Sequence, residues 1–306
     1  SSILHCAVFF NIVVGQAAPA CPTTILKNTA QCRIEERAMT RASRLKQTKI
    51  YIGKCFRVFL NERGWKTFVS AAIITLLICM VTSKNMFRAY MATRNGAFAL
   101  VCACIWIGIF NSIQSVCKER DIIKREHRSG LHISSYIAAH MVFEMFLSAV
   151  EGIIVTVIIC IANGRNLPSD GVLLPAVVEL AVTFFLIIYS SDALGLMVSS
   201  IVKTPNTAMT IMPFVLILQL VMSGMIFELE GVTKAISNLT IAKWGLNALC
   251  ITANVNAMSD YQPAFVSDYE FSIGHICQMW LLLIAFTLLY AVIAVISLKF
   301  VDKDKR

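Results

Sequence analysis

Charge is what this chain is short of. Asp, Glu, Lys and Arg make up 15% of its 306 residues, against roughly 25% in an ordinary soluble domain. Hydrophobic residues reach 57% and the mean hydropathy is +0.71. Several apolar runs reach the ~20 residues that carry a helix across a bilayer. A soluble fold is thereby excluded, and the expected class is an all-α membrane protein.

Further absences narrow the function. No GxxxxGK[ST] and no glycine-rich strand-to-helix turn occurs, so nothing here cradles a nucleotide phosphate. HExxH and GxSxG are missing too, which removes the common hydrolase chemistries. Ser190, Ser191 and Asp192 follow one another, but serines in a membrane helix serve packing more often than catalysis. Among eleven cysteines there is no CxxC. Cys79, Cys102, Cys104 and Cys160 fall in apolar segments, where cysteine acts as a small apolar residue. No metal site is expected. Cys250 and Cys277 share the outer side in this reading, and pairing between them is left open. No internal repeat and no low-complexity tract is visible.

What charge there is leans positive, at +9. Lys and Arg gather in 27–66, in 118–128 and after Lys299, on the flanks of apolar segments. Positive flanks mark the cytosolic side of a membrane, so this charge speaks for topology and membrane lipid, and no nucleic-acid partner is expected. Six spans are placed by hydropathy near 67–82, 96–117, 138–162, 172–202, 207–227 and 276–298. With both termini inside, 21 of the 27 Lys and Arg are cytosolic. The fourth span is long for one crossing, and tilt or a cytosolic extension should absorb the excess. Pro175 and Pro205 open the fourth and fifth spans, and Pro213 should bend the fifth.

Residues 1–43 are read as a leader or linker. Ser1 to Ala20 faintly resembles a signal peptide, yet no Lys or Arg precedes Lys27. From Arg44, Leu45, Ile52, Phe56, Phe59 and Leu60 recur at helical spacing, which predicts a basic amphipathic helix over 44–62 lying in the interface plane. On the outer side, Val232 to Leu249 predicts an amphipathic re-entrant or surface helix before the last span. Asn238-Leu-Thr240 there matches a glycosylation sequon.

The densest charge is a hinge between the second and third spans, Lys118 to Arg128, which stops at Ser129-Gly130. A short basic helix between two spans is well placed to receive force from a soluble partner. Ionisable residues inside spans are functional candidates: Glu144 and Glu151 in the third, Glu179 and Asp192 in the fourth. Glu144 and Glu151 share a helix face, with His140 one turn before Glu144. They suit a proton relay; near-interface anchors for hinge Arg and Lys are the simpler reading for Glu144 and Asp192. Asn111, Gln114 and Gln219 suit helix–helix glue or the polar points of an apolar cavity equally well.

Glu119-Arg120, Arg125-Glu126, Ser129-Gly130, Ser135-Tyr136 and Glu144, followed by Met222 to Phe227 (MSGMIF) and Trp244 to Leu249 (WGLNAL), resemble in order and spacing the transmembrane domain of G-subfamily ABC transporters, the type-two ABC exporter fold. The resemblance runs from about Arg44 to Lys299. It implies a connecting helix before Thr67. It implies a coupling helix docked on a nucleotide-binding domain through Glu119, Arg120, Asp121, Lys124, Arg125, Glu126, His127, Arg128 and Ser129. It places Cys104, Ile107, Phe110 and Asn111, with Phe214, Ile217 and Leu220, on the wall of a substrate cavity shared by two protomers. Met225 and Ile226 fall where the family has an apolar plug before the exit. ATP and Mg are expected on the ATPase domain, with no cofactor in this chain. The stretch before Arg44 is too short for the ATPase that the family fuses there, so that domain is expected on a separate chain or in a longer form of this one. The outer region also has fewer cysteines than animal members, which favours a simpler or microbial member.

The function expected is therefore the permease half of an ATP-driven exporter of lipid-like or amphipathic molecules, multi-pass in the cell membrane. An ion- or proton-coupled transporter using Glu144, Glu151 and Asp192 is the alternative, and a non-transporting scaffold subunit a third.

Overall fold

The structure, a computed structural model, describes residues 43–300 apart from 83–84, 165, 169, 228–229 and 259–265. Apart from Ser43, the described residues belong to the compact unit Arg44–Arg306. The leader expected over 1–43 falls, but for Ser43, outside them.

Regular structure among the described residues is helical throughout. Helix α1 (Arg44–Asn61) bends by 70° into α2 (Lys66–Val81). Helix α3 (Tyr90–Ser112) leads through the short α4 (Ser115–Lys118) into the hinge helix α5 (Arg120–Arg128). Then come α6 (Ile133–Asn163), α7 (Ala176–Ile201), α8 (Pro205–Val221), α9 (Gly231–Ser237), α10 (Ile241–Thr252) and α11 (Ile273–Lys299). Among the described residues, four segments are long and apolar enough to cross a membrane: Tyr90–Lys118, α6, α7 and α11. The bent pair α1–α2 makes a possible fifth, and α8 is apolar but only 17 residues long.

The bundle is built around α7, which packs against α3, α6, α10 and α11. Lipid-facing helices gain no hydrophobic drive toward each other, so close approach and polar latches must hold them. Both are present. A Cβ on Gly108 of α3 would lie 2.5 Å from the Ile188 carbonyl of α7. One on Gly195 of α7 would overlap the Ser112 hydroxyl of α3. The two glycines thus let α3 and α7 touch backbone to backbone. Helix α11 is latched to α7 at three heights: Trp280 Nε1 donates to Thr183 Oγ1 at 3.0 Å, Thr287 and Ser190 share a hydrogen bond at 3.0 Å, and Ser297 Oγ donates to the Ser200 carbonyl at 3.1 Å.

Three expectations need correction. The fourth span is shorter than expected: its helix begins only at Ala176, and the N–H groups of Val172 and Leu173 donate to Glu179 Oε2 at 2.9 and 3.1 Å, folding the preceding loop onto the helix end. The stretch expected to be one amphipathic helix over Val232 to Leu249 is two helices broken at Asn238, and α10 is no surface helix. Ile241, Ala242, Leu246 and Leu249 are all buried, and α10 is inserted among α3, α7 and α11. On α1, Leu45 is 84% exposed and Leu60 also faces outward. Ile52, Phe56 and Phe59 of the expected stripe are half-buried, and the inward face adds Tyr51, Lys54 and Cys55 to the two rings. Those rings meet Phe143 edge-on at 5.2 and 5.7 Å.

Candidate functional site

The hinge helix divides into two faces. Asp121, Ile122, Arg125, Arg128 and Ser129 are exposed, and Arg125 stands three or four residues from each of the others, on one side. The other side is bound into the bundle. Ile123 is fully buried. Glu119 pairs with Lys54 of α1 at 3.0 Å and accepts from Tyr136 of α6 at 3.1 Å. Glu126 accepts a hydrogen bond from the Tyr51 hydroxyl. Arg120 Nη1 donates to the carbonyls of Ser200 and Val202, at 3.0 and 2.9 Å, where α7 ends. Lys124 and His127 are half-buried between the two faces.

The hinge helix ends where its sequence says it should. Gly130 has a φ of +106°, the left-handed conformation that glycine adopts without strain. Gly130 N donates to the His127 carbonyl at 3.1 Å and Leu131 N to the Glu126 carbonyl at 3.0 Å. This pair of bonds is the Schellman stop. Gln47 of α1 then grips the turn, donating to the Gly130 carbonyl at 3.3 Å and accepting from His132 N at 3.0 Å. The amphipathic helix is therefore clamped along the hinge by Gln47, Tyr51 and Lys54, a polar stripe at helical spacing that the apolar pattern had hidden. Burial, and then the bond to Glu126, raises the Tyr51 phenol above its ordinary range. Burial together with the carboxyls of Glu119 and Glu144 pushes the Cys55 thiol up to about 12. Cys55 is thus a neutral packing residue.

Behind the clamp lies a cavity of about 520 Å³. Val58, Phe59, Phe110, Phe143 and Met209 give it apolar walls, and Asn111, His140 and Glu144 polar points. Of the expected wall residues, Phe110 and Asn111 line it, whereas Cys104 and Ile107 are enclosed in the core of the chain. Phe214 and Ile217 lie on the open face of α8, with Leu220 half-buried beside them. Met225 packs on the core and Ile226 is exposed, in the turn after α8.

The ionisable residues separate into two groups. Glu179 stands apart, holding the 172–173 loop with one oxygen and accepting from Thr252 Oγ1 of α10 at 2.6 Å with the other. It is a structural latch. Glu144, Glu151 and Asp192 come together at the meeting of α3, α6 and α7. Asn111 Nδ2 donates to both oxygens of Glu151 at 2.9 Å. Ser148 Oγ lies 2.6 Å from Asp192 Oδ2 and 2.6 Å from the Glu144 carbonyl. Glu144 Oε2 and Asp192 Oδ1 are buried without a hydrogen-bond partner. Among the described residues no hinge Arg or Lys is seen bonded to Glu144 or Asp192, which are held inside the bundle. Ser148, one turn beyond Glu144, was the missed residue; a hydroxyl at i+4 from a buried acid is its signal. Gln219 is glue, accepting from Ala242 N at the start of α10 at 3.3 Å. Cys250 and Cys277 are both free thiols.

Residues 46–254, from α1 through α10, match the family model described as ABC-2 type transporter. Over 153 residues the chain is 29% identical to the ABC transporter ATP-binding/permease protein Rv1747 of Mycobacterium tuberculosis (strain ATCC 25618 / H37Rv). That similarity takes in 49% of this chain and 18% of the length of the mycobacterial protein.

Proposed function

The chain belongs to the ABC-2 type transporter family, and from that premise we propose that it is the membrane-spanning permease of an ATP-driven exporter. It is an integral, multi-pass membrane protein. The observation that carries the proposal is the two-faced hinge helix. Its inner face is bonded to α1, α6 and α7, so a push on the exposed Asp121–Arg125–Arg128 face moves three elements at once. A nucleotide-binding domain, fused upstream or carried on a separate chain, is the partner for that face and holds ATP and Mg. ATP shifts the cavity between inward and outward access only by binding the two states with different affinity.

In this reading α2 and α8 are the first and fifth of six crossings, α10 dips into the outer leaflet, and both termini are cytosolic in the cell membrane. The distribution of Lys and Arg supports that orientation. A second protomer packs against the open face of α8, where Phe214 is 69% exposed, and Met225 and Ile226 separate the cavity from the exit. The cargo is a lipid-like or amphipathic molecule, matched to apolar walls with few polar points.

Purification of the chain from its native membrane in mild detergent, with mass spectrometry of what accompanies it, tests the proposal. A stoichiometric ATP-binding-cassette protein is expected, or the same band extended at its N-terminus by such a domain. A clean complex without either would overturn it.

A further inference from the structure

The cavity behind the connecting helix has a composition that selects its ligand. Its walls are apolar, and its volume suits a drug-sized molecule. Glu144 lines the cavity while only 2% exposed, and its Oε2 is buried without a hydrogen-bond partner. Beyond Glu144 on the same interface are Glu151, bound by Asn111, and Asp192, bound by Ser148. None of the three is ion-paired among the described residues. Two basic groups are on the cavity wall: Lys54, engaged by Glu119, and Lys118, which is exposed. A carboxyl group with an unfilled acceptor in a water-poor pocket is costly unless a donor arrives. His140, one turn away, offers no help: its Nε2 lies against Cys55 Sγ at 3.9 Å and its Nδ1 has no partner.

We propose that this cavity binds hydrophobic organic cations, with a protonated amine held by the Glu144 carboxylate and the apolar body against Phe59, Phe110, Phe143 and Met209. The ammonium supplies a donor to the Glu144 carboxyl where it borders the cavity, in a charge-assisted hydrogen bond. Glu151 and Asp192 lie on the same helix interface, behind the cavity wall. The inference deepens the exporter reading and rests on it for direction of travel; binding itself does not.

The test uses the full chain in nanodiscs of zwitterionic lipid, with empty discs as the partition blank. Two fluorescent probes are compared: a dansylated long-chain primary amine and its neutral N-acetyl derivative. Wild type is expected to bind the amine roughly tenfold more tightly than the acetylated form, the ratio that one favourable charged contact supplies. In Glu144→Gln the two probes should bind alike. Equal affinity for both probes in wild type overturns the proposal, and needs no variant to fold. A preference that survives in Glu144→Gln overturns it too, since the charge is then read elsewhere, at Glu62 or Glu119 on the rim. Neither result depends on whether an ATPase accompanies the chain, so failure here leaves the exporter reading standing, and the converse holds.

Discussion

Asn111 donates to both oxygens of Glu151 across the α3–α6 contact, and Asn111 itself borders the cavity. Truncation in Asn111→Ala leaves a buried carboxyl without donors. A loss of about 2 kcal/mol is expected, read as a lower thermal midpoint of the detergent-solubilised protein. An unchanged midpoint would mean that Glu151 finds water or another donor. At this scale the sequence named the right residue types but not their partners. Glu144, Glu151 and Asp192 stood out because acids are rare in spans. That Ser148 serves Asp192, and that Glu179 is a latch for its own loop, depended on distances between helices, which no spacing along one helix encodes.

Among the elements, the hinge was the most legible. Its charge density, its stop at Ser129-Gly130 and its position between two spans are local properties, and the Schellman turn at Gly130 realises them. Its division into faces was not legible, because that depends on where α1 lies. Charge reversal at both Arg125 and Glu126, the obvious pair from sequence, would mix two effects. Arg125 is on the exposed face, while Glu126 is bonded to Tyr51. The variants should therefore part company. Asp121→Lys with Arg125→Glu is expected to cut transport at least tenfold at an unchanged thermal midpoint. Glu126→Gln weakens the clamp on α1 and should lower the midpoint, by the equivalent of about 1 kcal/mol. Identical behaviour of the two variants in paired melting and transport assays would refute the division.

For the molecule as a whole, the open question of topology has a direct readout. An epitope inserted beside Asp170 or at Gly231 should be reached by antibody on intact cells, since both lie in outer segments of the six-crossing arrangement. One inserted at Ser129 should be reached only after permeabilisation. Opposite exposure of the Asp170 and Gly231 tags would show that α8 does not cross between its two ends, reducing the count by one. At 17 residues, α8 is short for the ~30 Å hydrocarbon core and crosses only with local thinning or a flanking turn.

Composition and hydropathy by themselves determined that the chain is helical and lies in a membrane. Those properties are sums over residues, and each apolar run carries its own helix because lipid leaves backbone groups no other partner. Local punctuation determined the hinge, for the same reason: a charge block and a glycine act within a few residues of themselves. Only the tertiary structure decided that α10 is a core helix, that Cys104 and Ile107 are enclosed while Phe110 and Asn111 border a cavity, and that Glu144 borders it too. These follow from how α1, α3, α6 and α7 pack, and packing is fixed by contacts between residues far apart in the chain, such as Gly108 on Ile188 and Tyr51 on Glu126.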